Sequence, residues 1–69
     1  MKKVIVLAGD SEQFNSYLEE NGLTDSEAVY GWSRESMMGI EASDVVIYGT
    51  FWYRNDANKL RDFALSRIR

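Results

Sequence analysis

Residues Asp44–Asp56, DVVIYGTFWYRND, decide how this chain is read. Val45-Val46-Ile47-Tyr48 is its longest run of strand-forming residues. Gly49-Thr50 breaks the run and the aromatic triplet Phe51-Trp52-Tyr53 follows. Arg54-Asn55-Asp56 then leads into a helical pattern whose apolar side is Ala57, Leu60, Phe63, Ala64 and Ile68, with Asn55 or Asp56 as its cap. A buried strand, its exit loop and the next helix start are compressed into one short stretch.

The same succession occurs twice upstream. Lys3 to Ala8 reads as a first strand, because Val4-Ile5-Val6-Leu7 is continuously apolar, as in a strand covered on both faces. Gly9 ends it. Asp10-Ser11-Glu12-Gln13 has the form of a capping box, with Asp10 as N-cap and Gln13 reaching back to it. Phe14, Tyr17 and Leu18 supply the apolar face of the first helix. With Gly22 one residue past its end, Leu18 and Leu23 become the hydrophobic pair of a Schellman ending. After the polar connector Thr24–Glu27, Ala28-Val29-Tyr30 forms a short second strand ended by Gly31. Ser33 caps a second helix from about Arg34 to Met38, and Gly39 ends it. Ile40 to Ser43 returns to the third strand, with Ile40 and Ala42 turned inward.

The order β-α-β-α-β-α predicts a minimal α/β fold: three parallel strands, right-handed crossovers and helices on both faces. The first and third strands are the most apolar, which predicts strand order 2-1-3, a truncated Rossmann or flavodoxin-like sheet. The alternative order 3-2-1 would put the short, weakly apolar second strand in the middle.

Composition bounds the rest. At 69 residues the chain is one domain, with room for only one small α/β unit. It has no cysteine and no histidine, so disulfides are excluded and a structural zinc site is not expected. Packing of the 4 Tyr, 3 Phe and 2 Trp, self-association or a partner remains to support so small a unit. The apolar run Val4–Ala8 is too short for a signal core or a membrane span, and cysteine-free composition fits a reducing compartment. A soluble, cytoplasmic protein with no cofactor is expected. The formal net charge is −3, which does not favour nucleic acid globally. The charge is uneven, however, with basic residues gathered after Tyr53. Arg67 and Arg69 would lie near the negative end of the last helix dipole.

Each strand ends in glycine followed by polar or aromatic residues: Gly9-Asp10-Ser11, Gly31-Trp32-Ser33 and Gly49-Thr50-Phe51. In a parallel sheet all three share the carboxyl edge, where open α/β sheets bind ligands. Gly9, Ser11, Ser33, Arg34, Thr50 and Arg54 would line that crevice for a nucleotide or nucleic acid. Each glycine alone is better explained as the turn from strand to helix; it is the three together that point to a crevice. Neither GxGxxG nor GxxxxGK[ST] is present, and Asp10 and Glu12 would repel phosphate at the first helix start. Ser11, Ser33 and Ser36 have no evident base, so no catalytic set is assigned. The aromatic cluster Trp32, Phe51, Trp52 and Tyr53 has three readings. It caps the core, anchors a protein interface, or stacks a base with Arg34 or Arg54 on phosphate. Met37-Met38 beside it suits either a buried or an adaptable contact role.

On Gly49-Thr50-Phe51-Trp52-x-Arg54-x-Asp56-Ala57, preceded by Asp44-Val45-Val46-Ile47 and the opening Val4–Gly9 strand, the chain resembles small proteins encoded by actinobacterial phages. That resemblance implies a single β-α-β-α-β-α unit in an accessory role and transfers no activity. More loosely, Gly39–Ile47 and Ser66-Arg67-Ile68-Arg69 look like parts of a helicase RecA-like lobe. This implies that Arg54, Arg67 or Arg69 touches phosphate in a lobe without Walker A. The reading adopted is a non-catalytic interaction module, with a protein partner or a second copy contacting Trp32, Arg34, Phe51, Trp52 and Arg54. Nucleotide or nucleic-acid binding at the carboxyl edge is the alternative.

Overall fold

A computed structural model describes residues 3–68. Its elements are β1 (Lys3–Ala8), α1 (Ser11–Asn21), β2 (Ala28–Tyr30), α2 (Arg34–Met37), β3 (Ala42–Tyr48), a 3-10 turn (Phe51–Tyr53) and α3 (Ala57–Leu65). The strands form one parallel sheet in the order β2-β1-β3, as their apolar content predicts.

Alternation along β1 divides the core in two. Ile5 and Leu7 face α2 and α3, packing with Met37, Ala42, Phe51, Leu60 and Ala64. Val6 and Ala8 face α1, packing with Leu18 and Ala28 beneath Phe14, Tyr17, Tyr30 and Tyr48. All of β1 from Ile5 to Ala8 is buried, which is why it has to be the central strand.

Helix α1 is bounded as its sequence requires. Asp10 accepts the N–H of Gln13, and Gly22 sits at φ 63° in the left-handed region. The N–H of Leu23 donates to Leu18 O at 2.9 Å and that of Gly22 to Glu19 O at 3.3 Å, the two bonds of a Schellman ending. Ser33 caps α2 reciprocally with Ser36.

Two expectations are corrected. β3 begins at Ala42 rather than Asp44, because an extra residue at Ser43 lets Ala42 pair with Lys3 while Asp44 pairs with Val4. α3 ends at Leu65, so Ile68 is not on its apolar side; it forms a parallel bridge to Ala42. Arg67 stands two residues past the end of α3, and its Nε donates to Ile40 O at 3.2 Å. The reading of Arg69 lies outside the described residues. No described helix is long and apolar enough to cross a membrane.

Candidate functional site

The carboxyl edge is built from the exits of the three strands. Between β1 and β3 lies the point where the connections diverge to opposite faces of the sheet, the usual ligand crevice of such folds. Here it is filled by the chain itself. Gln13, from the first turn of α1, extends its amide across the gap. Its Oε1 accepts the backbone N–H of Gly9 at 2.8 Å and that of Thr50 at 3.0 Å. Its Nε2 donates to Thr50 Oγ1 at 3.0 Å. Two N–H donors converging on one atom identify that atom as the oxygen. Gln13 was expected to reach back to its own N-cap; instead it goes one residue further and ties β1's exit to β3's.

This contact accounts for two of the three post-strand glycines. A Cβ on Gly9 would collide with Thr50 Oγ1 and with Gln13 Oε1, and a Cβ on Gly49 would collide with the same Gln13 oxygen. Gly49 also has φ 65°, which a side chain rarely tolerates. The third, Gly31, is buried, and a Cβ there would meet Leu7 Cδ2 at 2.7 Å and Met37 Sδ at 3.0 Å. The glycines make room for the chain's own side chains. Of the other residues assigned to the crevice, Ser11 is the exposed first residue of α1, and Ser33 is engaged in the α2 cap.

The aromatic triplet splits. Phe51 is 0% exposed and belongs to the core under α3, so it is withdrawn from the contact surface. Trp52 is 49% and Tyr53 87% exposed. A 3-10 turn rotates about 120° per residue, so when Phe51 points in, its two neighbours point out. Trp52 packs edge-on against Phe51, centroids 5.6 Å apart. Trp32, at the exit of β2, is 52% exposed. Met37 is buried and Met38 is exposed.

Arginines hold this surface. Arg54, expected as a contact, also acts as a brace. Its Nε and Nη2 grip both carboxylate oxygens of Asp56 at 3.0 and 3.2 Å, and Nη2 also donates to Trp32 O at 2.9 Å. It thereby joins the loop before α2 to the loop before α3. Asp56 sits at the start of α3 but makes no side-chain cap bond. The Arg54 hydrogen bond holds its carboxyl below the ordinary value of 3.8, against a smaller upward push from burial. Arg61 lies over the Trp52 ring at 5.6 Å. Arg34, exposed at the first position of α2, lies over Phe63 at 5.2 Å, and Arg67 over the same ring at 5.6 Å. No spacing or motif in the chain marks Gln13, Arg61 or Phe63 for these roles.

The geometry is therefore a closed crevice beside an open, arginine-braced aromatic surface. Comparison with protein-family models, with curated proteins and with solved structures finds no match to this chain.

Proposed function

We infer that the chain is a non-catalytic protein-interaction module whose contact surface is Trp32, Trp52 and Arg34, with Arg54 holding the two loops in register. The observation that carries this reading is the division of the Phe51-Trp52-Tyr53 triplet: one ring anchors the turn in the core while its neighbours stand exposed. Large aromatics on a fixed backbone lose little entropy on contact, and with arginine they dominate interface hot spots. The phage resemblance supports placing this activity in a small accessory protein that works in a host cytoplasm. The rival reading, a nucleotide or nucleic acid at the carboxyl edge, is weakened by Gln13. Any such ligand has to displace an amide that already satisfies the Gly9 and Thr50 N–H groups.

The test is capture from host lysate with wild type, Trp32→Ala and Trp52→Ala, each checked for an unchanged amide spectrum. Loss of one specific partner from both folded variants is expected. Equal capture by all three contradicts the assignment.

A further inference from the structure

The pairing within the sheet determines which backbone groups face outward at its β3 border. The N–H of Lys3 donates to Glu41 O at 3.0 Å and that of Val4 to Glu27 O at 3.0 Å. Odd residues of β1 therefore bond β3, and even ones bond β2. With Ile5 opposite Val45 and Leu7 opposite Ile47, the N–H groups of Ala42, Val45 and Ile47 point away from β1. Ala42's is taken by Arg67 O at 3.0 Å, next to the Ala42–Ile68 bridge, so the border already accepts backbone pairing at its start. Val45's is taken by its neighbour's carboxylate, Asp44 Oδ1, at 2.8 Å. Nothing among the described residues takes Ile47's.

An apolar stripe runs beside this border. Trp52 follows the carboxyl end of β3, Arg61 lies on its ring, and Leu65 is one helical turn further along α3. Ile68 then meets β3 at its amino end. Trp52, Leu65, Ile68 and, on β3 itself, Ile47 are all exposed.

We propose that this border seats a second copy of the chain, joined antiparallel through β3 about a two-fold axis into a six-stranded sheet. This goes beyond the reading of the chain as an interaction module: it adds a second contact, which shares Trp52 but not Trp32 with the surface proposed above. Self-pairing is what the border fits. Centred on Val46, it sets Val45 of one copy opposite Ile47 of the other, so outward N–H and C=O groups exchange bonds in kind. An axis normal to the sheet keeps both α3 helices on one face. The Leu65 end of one stripe then meets the Trp52 end of the other. The opposite border offers no equivalent, because β2 has three residues. Asp44 guards the joint: its carboxylate has to release the Val45 N–H before the second copy pairs.

The test is sedimentation velocity on the full chain from about 1 µM to 1 mM, a range that brackets modest dimer affinities. The mass is expected to rise from 7.9 kDa towards twice that value, with Ile47's amide protected from exchange only in the dimer. Leu65→Lys is expected to weaken association by about 10- to 100-fold, the burial of one leucine. Asp44→Ala, which frees the Val45 N–H, is expected to tighten it, an effect that contact through α3 alone does not produce. Both positions are exposed, so both variants fold. A mass fixed at 7.9 kDa throughout, or a dimer in which Ile47's amide exchanges freely, overturns the proposal. Trp32→Ala separates the two ideas: it removes partner capture under the functional reading and leaves the dimer intact under this one.

Discussion

The two layers that cover the sheet are finished in different ways. On the α1 side both helix ends are closed by side-chain or backbone caps. The aromatics there pair with one another: Phe14 stacks on Tyr30 at 5.3 Å, and Tyr17 meets Tyr48 edge-on at 5.4 Å. The Tyr48 hydroxyl donates to Glu20, which raises its pKa above the ordinary 10.0. On the α2–α3 side, α2 is four residues long and α3 starts without a side-chain cap bond. Both tryptophans are left half-exposed there, and arginines lie against Phe63 and Trp52. The same chain covers its aromatics on one layer and presents them on the other, which is why the proposed contact surface is placed on the second.

The largest expected effect tests the core of that second layer. Phe51→Ala should cost about 3–5 kcal/mol, as for other buried phenylalanines. In a domain whose single core supplies only about 3–5 kcal/mol, that is enough to unfold it at ambient temperature. Circular dichroism of the purified variant checks this. A stable, cooperatively melting Phe51→Ala protein would mean that the turn is not anchored as described.

Next in size is the crevice. Gln13→Ala removes three hydrogen bonds that lie at a partly solvated edge, and it should lower stability by about 1–2 kcal/mol in urea denaturation. Gly49→Ala should be destabilising in wild type and less so in the Gln13→Ala background, because part of its penalty is the clash with that side chain. Additive losses would show that the strain at φ 65° acts alone.

The fold was largely legible because its determinants are local. The apolar run Val4–Leu7 gives the central strand, and the Leu18, Gly22 and Leu23 spacing gives the helix stop without reference to the rest of the chain. The site was legible only in part, because its determinants join distant residues. Gln13 and Thr50 are 37 positions apart, and Arg54 and Trp32 are 22. No periodicity links such pairs. Phe51, Trp52 and Tyr53 are equivalent by composition; the direction of one short turn decides which is buried. Asp56 reads as a helix cap by residue type, yet Arg54 two positions earlier has first claim on its carboxylate.

Smaller effects sharpen the contrast. Trp52→Ala should change stability by less than about 1 kcal/mol, since half of its surface is already in water. A loss comparable to that of Phe51→Ala would return Trp52 to the core. The smallest effect is a pH dependence. Asp56 has a folded pKa below its ordinary 3.8, so its stabilising contribution is complete above that value and disappears as pH falls through the folded one. Asp56→Asn should flatten the acid limb of the stability profile slightly below pH 3.8 and leave neutral stability little changed, because the pair is substantially solvated. Identical acid limbs for variant and wild type would remove the ion pair from the account.

The most direct test of a closed crevice beside an open surface is an amide-resolved NMR titration with nucleotides and a short single-stranded oligonucleotide. The resonances to follow are the Gly9 and Thr50 amides and the two indole N–H groups. In wild type the Gly9 and Thr50 signals are expected to stay fixed at millimolar ligand, because Gln13 occupies both donors. Saturable shifts at those two amides would contradict the account and make the carboxyl edge a ligand site.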